Sequence, residues 1–368
     1  MDEVRLTQEL IRINSENPPG NEKKIAKFIK DYLEDFGIPA EMIEFGKNRF
    51  NVIGEKGKGK GLILAGHIDT VPSGDLKKWK YSPFEGKIVK GKIYGRGASD
   101  MKGGLAAILG SLRKFKNKNF KKRLVLAFVG DEEVAMKGTK YLIEKRKSFL
   151  KNVKYGVMAE PTNLDIRIAQ KGITMIKLKF KGKAAHGSKP ELGDNAILKA
   201  SDFIQELKKL TRKLKKKKDP LLGSGTINVG KILGGTKVNI VPDYCEVEID
   251  RRLIPGETPA IAIKQIRKIL EKLNLKAKIE YLNEPRLAMK IPKNSKIVKM
   301  IQSIKKAKIK GESGYTESEL YYRECGIEFV SFGPGDPKLA HVINENIKIS
   351  KIKKAKKVFE KLIERWCL

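Results

Sequence analysis

From Asn21 the apolar positions Ile25, Phe28, Ile29, Tyr32, Leu33 and Phe36 recur at intervals of three and four, and Gly37 follows. That is one stripe of an amphipathic helix closed by a glycine. Short unbroken apolar runs come next: "FNVIG" at 50–54, "GLILAG" at 61–66, "RLVLAFVG" at 123–130 and "YGVMAE" at 155–160. Between them "MKGGLAAILGSLRKF" places Leu105, Ile108, Leu109 and Leu112 on one helix face. Apolar runs of this length alternating with helices predict an α/β fold, with a mixed, mostly parallel sheet covered by helices on both faces.

The pattern changes after about residue 170. "GITMIKLKFKGKAAHG" alternates apolar and basic residues with a period of two, as a half-exposed strand does. A helix over 194–210, strands at "GTINVGKI" and "YCEVEIDRRLI", a helix over 258–273 and the strand "KAKIEYL" complete a β-α-β-β-α-β order. This predicts an α+β sandwich inserted into a discontinuous α/β domain: residues 1–171 and 285–368 form the outer domain, and 172–284 the insertion. A closing helix is predicted over 349–366.

Composition narrows the function classes. With 368 residues, 40% of them hydrophobic and 33% charged, the chain can bury a core. No window approaches the apolar length that a membrane span needs, and the acidic, amphipathic start does not read as a signal segment, so a cytoplasmic address is expected. Three scattered cysteines without C-x-x-C spacing predict reduced thiols. The net charge of +35 raises nucleic acid as a partner. The lysines, however, are spread along the whole chain and aromatics make up only 7%, which argues against it. The dense run "KLKKKK" reads as a solvated helix end. Enrichment in lysine and isoleucine suits a protein from a hot environment, and the charge would draw anionic substrates.

Candidate chemistry lies where apolar runs end. His67 and Asp69 follow the second run; "GRGASD" delivers Asp100 just before a helix. "GDEE" delivers Glu132 and Glu133, "MAEP" delivers Glu160, and "FGPGDPKLAH" delivers His341. In open α/β sheets ligands bind outside the carboxyl ends of strands. A lone strand-end histidine is ordinarily structural, and adjacent glutamates are ordinarily solvated. Here, though, two of only three histidines and the acidic strand ends fall where one cleft would collect them. Two imidazoles with several carboxylates suit a pair of zinc-like divalent ions.

The motifs "GHIDTVP", "YGRGASDMKGG", "GDEE", "AEPT", "GKAAHGSKPELGDNAI", "DRRLIPGE" and "FGPGD…AH" occur in the order seen in the cocatalytic zinc hydrolases. That family includes acetylornithine deacetylase, succinyl-diaminopimelate desuccinylase, glutamate carboxypeptidase and aminoacylase. The likeness runs from "LIRINSENPPGNE" to the last helix. The resemblance implies that Asp100 bridges two divalent metal ions, zinc with cobalt as the alternative. His67 and Glu160 would complete one site, Glu133 and His341 the other. Glu132 would be the general base, and Asp69 would hold the His67 ring in its ligating tautomer. It also implies a cis peptide after Asp100.

His186, in "GKAAHGSKP", would steady the oxyanion from the inserted domain, often across a homodimer. Asn239 and Arg252 would contact substrate, the arginine gripping a carboxylate; Thr316 and Gly335 are further substrate-side candidates. The activity implied is hydrolysis of the amide of an N-acyl amino acid in amino-acid biosynthesis. A metallo-exopeptidase acting on short peptides is the alternative, as is release of an amino acid from an acidic carrier protein, which the charge would suit. The family's Gly-Thr-Ser-Asp pattern departs here to "GYTESE", which bears on the substrate.

Overall fold

The run Gly61–His67 is a strand with all seven residues buried. It can be apolar up to His67 because helices cover both faces of the sheet; parallel strands flank its two edges: Arg123–Val129, with His67 opposite Val129, and Val153–Met158, with Ala65 opposite Met158. Glu328–Ser331 adds a further parallel strand beside Val153–Met158. These relations come from a computed structural model that describes every residue from Met1 to Leu368.

Outside this parallel block the sheet turns antiparallel. Ala40–Gly46 and Arg49–Lys56 form a hairpin, and the second of them pairs antiparallel with Arg123–Val129. Strands joined by so short a connection can pair in no other way. The sheet is therefore mixed, with its parallel pairings at the centre, where the candidate strand ends lie side by side.

Two sets of helices cover it. Gly103–Leu112 is buried at all ten positions, as a helix apolar all round must be. It packs with Glu3–Arg12 and Ile349–Cys367, and the latter also contacts Lys296–Ile304. The second set is Lys23–Asp35, Lys137–Lys145 and Ser318–Cys325. Lys23–Asp35 buries Ile25, Ile29, Tyr32 and Leu33, and Gly37 after it takes φ +67°, which favours glycine. Each fully buried Leu, Ile or Val contributes about 1.5–3 kcal/mol, so this core holds the strand ends rigid.

The chain divides into two compact units. The second comprises Ala169–Lys290 with Gly311–Tyr315, limits slightly wider than 172–284. It is built on a four-stranded antiparallel sheet in the order Thr226–Gly234, Tyr244–Leu253, Gly172–Lys181, Ala277–Tyr281. Ile176, Leu178 and Phe180 point inward to meet Phe203 and Leu207 of the helix Ala196–Leu214 and Ile266 of Pro259–Lys272. The intervening Lys177 and Lys179 point outward to Glu246, Glu248 and Glu280. Asn195 and Thr258 cap the two helices. Lys215–Lys218, just beyond the first helix, are exposed. The three cysteines are free, and no helix is long and apolar enough to cross a membrane.

Candidate metal centre

Each candidate side chain is aimed by a strand or helix terminus. His67 is the last residue of its strand, and its side chain is only 1% exposed. Asp100 lies in the turn that opens the helix Gly103–Leu112, and the peptide Asp100–Met101 is cis. Glu132 and Glu133 follow the strand Arg123–Val129, and Glu160 follows Val153–Met158. His341, at φ +61°, follows the turn Pro337–Leu339.

These six residues come together. Nε2 of His67 is 3.1 Å from Asp100 Oδ1. Nε2 of His341 is 3.4 Å from Asp100 Oδ2 and 3.0 Å from Glu133 Oε2. The candidate ligand atoms of His67, Asp100 and Glu160 lie within 4.8 Å of one another, as do those of Asp100, Glu133 and His341, and those of His67, Glu132 and Glu133. Asp100 is thus shared between the first two groups, one carboxylate oxygen toward each imidazole.

The electrostatics are those of crowded acids around two bases. Burial opposes the charge on Asp100, but the two imidazoles hydrogen-bonded to it hold its carboxyl well below the usual range. Burial likewise opposes a charged His67, yet Asp100, Glu132 and Glu160 push its pKa well up. Burial, reinforced by Glu133, Glu160 and Glu317 against the opposing pull of His67, pushes Glu132 well above the carboxylate range. Glu133 also rises through burial. His341 is pushed up to about 10 by its hydrogen bonds to Asp100 and Glu133.

Divalent cations fit this donor set. Glu133 Oε1 is buried and has no hydrogen-bond partner, and four carboxylates face only two imidazoles. Imidazole nitrogen mixed with carboxylate oxygen is the donor chemistry of zinc-like ions.

The expected role of Asp69 needs correction. The His67 ring is held at Nδ1 by the backbone carbonyl of Asp69, 2.9 Å away, whereas the carboxylate Oδ1 is 3.7 Å off. The carboxylate is engaged elsewhere: it accepts the backbone N–H groups of Glu132 and Glu133, each at 3.2 Å, and Nδ2 of Asn17 at 2.9 Å. Asp69 therefore positions the glutamates with its side chain and the imidazole with its main chain.

The substrate-side candidates Thr316 and Gly335 are both buried. Thr316 Oγ1 accepts the N–H of Ser318. A Cβ on Gly335 would lie 2.1 Å from the Ser99 carbonyl oxygen and 2.7 Å from Pro161 Cβ, so this glycine permits a close approach beside Asp100 and Glu160.

His186, Asn239 and Arg252 belong to the inserted unit. There His186 bridges to Ile240, and the N–H of Gly187 donates to the Asn239 carbonyl at 2.8 Å, so the first two are neighbours. His186 is exposed, and its Nδ1 is 3.2 Å from the N–H of Ser188. The Arg252 guanidinium holds both oxygens of Asp250. Arg251 is buried against Glu257 at 2.9 Å.

Sequence reading missed the supports. Asp131, immediately before Glu132 and Glu133, adopts φ +69°, uncommon for a non-glycine residue. It is fixed by Arg49 at 2.8 Å, Asn17 at 3.1 Å and the N–H of Lys137 at 3.1 Å. Arg49 also binds the fully buried Glu22. Glu317 is fully buried too, accepts from Thr139 Oγ1 at 2.9 Å, and is raised to about 7 by burial. Glu345 packs under Asp100, and burial pushes it up to about 7. In sequence each of these is an ordinary polar loop or helix-end residue; only the lone "DEE" run and the acid four places after His341 offered a signal.

A probable succinyl-diaminopimelate desuccinylase of Staphylococcus aureus (strain Mu50 / ATCC 700699) is 28% identical over 398 residues, covering 95% of this chain and 96% of the relative. Among solved structures, the M20 family metallo-carboxypeptidase Sso-CP2 from Sulfolobus solfataricus superposes with a TM-score of 0.81 at 25% identity, over 100% of this chain and 99% of that one. A tripeptidase from Staphylococcus aureus subsp. aureus Mu50 gives 0.80, also at 25% identity, over 99% and 98%. Residues 63–365 match the profile of Peptidase family M20/M25/M40, and the chain belongs to that family.

Proposed function

We propose that this chain hydrolyses the amide bond of an N-acyl amino acid, of the acetylornithine or succinyl-diaminopimelate kind, at a dinuclear zinc centre. As a member of its family it is a metal-dependent hydrolase of amide bonds. The observation that carries the reading is the convergence of two imidazoles and four carboxylates around the shared Asp100. In this reading Asp100 would be shared by the two ions, with His67 and Glu160 holding one and Glu133 and His341 the other. Zinc matches the donors, and cobalt is the alternative.

When bound, the two ions would supply positive charge that polarises the scissile carbonyl and acidifies the attacking water. With the ions' positive charge offsetting the burial that raises it, Glu132 would be ionised, take the water's proton on a carboxylate oxygen and deliver it to the departing amine nitrogen. Asp69, through the N–H groups of Glu132 and Glu133, keeps the two glutamates in register. In the inserted unit, a backbone N–H donating to Nδ1 of His186 leaves the ring proton on Nε2. That tautomer can donate to an oxyanion. Arg252 would exchange Asp250 for the substrate carboxylate; Asn239 lies with His186 at the other end of the strand Tyr244–Leu253 and would meet substrate from there. We further assign this unit the part of a lid and homodimer contact, and the protein a place in the cytoplasm.

A desuccinylase among the curated relatives favours the deacylase reading. The metallo-carboxypeptidase and tripeptidase among the solved structures favour a second, an exopeptidase. A panel of N-succinyl, N-acetyl and dipeptide substrates with added zinc or cobalt separates them. The deacylase reading expects the highest kcat/KM on an N-acyl amino acid; a dipeptide in that place selects the second. Glu132→Ala lowers kcat by about 10²–10⁴-fold with metal content unchanged, and full activity in that variant would remove the base assignment.

A further inference from the structure

Glu345 is 1% exposed, yet its two oxygens collect four donors from one short segment. Oε2 accepts from Arg96 Nη1 at 2.8 Å and from the N–H of Gly97 at 2.9 Å. Oε1 accepts the N–H of Ser99 at 2.7 Å and that of Asp100 itself at 2.9 Å. Its main-chain carbonyl accepts the N–H of Gly95 at 3.0 Å. One carboxylate thus gathers the whole turn that presents Asp100.

The same residue is tied to the other side of the centre. Glu345 lies four positions after His341, and Arg96 reaches the intervening Val342 carbonyl at 3.3 Å and the Pro72 carbonyl at 3.2 Å. A second link runs alongside: Ser99 Oγ donates to the Asp336 carbonyl at 3.0 Å and accepts the Asp336 N–H at 2.8 Å. A carboxylate needed only to neutralise Arg96 would be satisfied by the guanidinium. Three backbone amides of the Asp100 turn go beyond that need, and charge-assisted bonds of this kind are the stronger ones.

We propose that Glu345 is a positioning residue of the metal centre, which fixes Asp100 relative to His341 and so sets the affinity of the half-site made by Asp100, Glu133 and His341. It acts through these residues and is not itself within the ligand cluster. The other half-site leans on it less, because His67 and Glu160 are fixed by the ends of two central strands. The inference rests on the dinuclear reading of the site.

The test is zinc titration of the metal-free protein by calorimetry, with cobalt absorption as a second readout, alongside melting of the metal-free chain. In Glu345→Gln an amide nitrogen must face two of the four donors. The second equivalent then weakens by about 10–100-fold, the range for outer partners of metal ligands, while the first, which shares Asp100 but has His67 and Glu160 fixed by strand ends, weakens much less. At zinc concentrations that leave the second half-site partly filled, kcat falls and KM stays put. Should Glu345→Gln not fold, Glu345→Asp carries the same expectation, because it keeps the charge but withdraws the carboxylate by one methylene. Equal weakening of both equivalents, or a lowered melting temperature with both affinities unchanged, would overturn the proposal. A wild-type protein that takes up fewer than two ions would instead sink the dinuclear reading on which it rests.

Discussion

His67 and His341 offer the same ring nitrogen to the same carboxylate, yet they are held in opposite ways. His67 is 1% exposed, ends a central parallel strand, and has its Nδ1 fixed by the Asp69 carbonyl. The His341 side chain is 52% exposed on a loop at φ +61°, and its Nε2 faces the carboxylates of Asp100 and Glu133. One imidazole is set by the core before any cation arrives. The other is half in solvent, and its backbone depends on the contacts made around Glu345. On the dinuclear reading proposed above, the half-sites would be unequal: the one containing His67 is expected to be tight and the one containing His341 labile.

Removing each imidazole in turn should show this inequality most strongly. His67→Ala lowers affinity for the first zinc equivalent by more than about 100-fold, beyond the range for outer partners. His341→Ala spares the first equivalent and abolishes the second. Stoichiometric titration checks both, and equal losses in the two variants would break the comparison.

A smaller effect separates the two by pH. His341 is pushed from an ordinary value near 6.5 up to about 10, chiefly by its hydrogen bonds to Asp100 and Glu133. At neutral pH the metal-free ring therefore holds a proton that must leave before Nε2 can bind an ion. Affinity at this half-site rises with pH until about 10, by about tenfold per unit for each proton displaced. Calorimetry in two buffers of different ionisation enthalpy reads that proton directly, and binding without proton release would contradict it. In the metal-free chain the sign is reversed. The raised value contributes stability that is fully present below about 6.5 and is lost as pH climbs through about 10.

The difference between the two imidazoles also marks what the sequence could and could not show. Strands and helices were legible because burial writes a period: unbroken for Gly61–His67, every second residue for Gly172–Lys181, and three-four for Lys23–Asp35. The fold class follows from these. His67, Asp100, Glu132, Glu133, Glu160 and His341 were legible as polar residues ending such runs, and their order matched a known family. The supports were not. Asn17 reaches Asp69 across 52 positions and Arg96 reaches Glu345 across 249, with no period and no motif to link them. The error over Asp69 has a finer cause, since one residue carries two acceptors and only coordinates reveal which of them meets the ring. Thr316 and Gly335 were assigned from an alignment of motifs that says nothing of burial.

The support network has its own logic. A buried ion pair stripped of one partner costs about 3–5 kcal/mol, so Arg49, shared between Glu22 and Asp131, links the stability of the fold to the aim of Glu132 and Glu133. The setting of Glu132 and Glu133 and the folding of the chain thus share one side chain.

The central claim is that Asp100 is shared between two cation half-sites. The most direct measurement is elemental analysis of the purified wild-type chain after removal of metal and reconstitution with zinc. The account predicts two ions per chain, falling to none that survives gel filtration in Asp100→Ala. One ion per chain in the wild type, or two retained in Asp100→Ala, would contradict it.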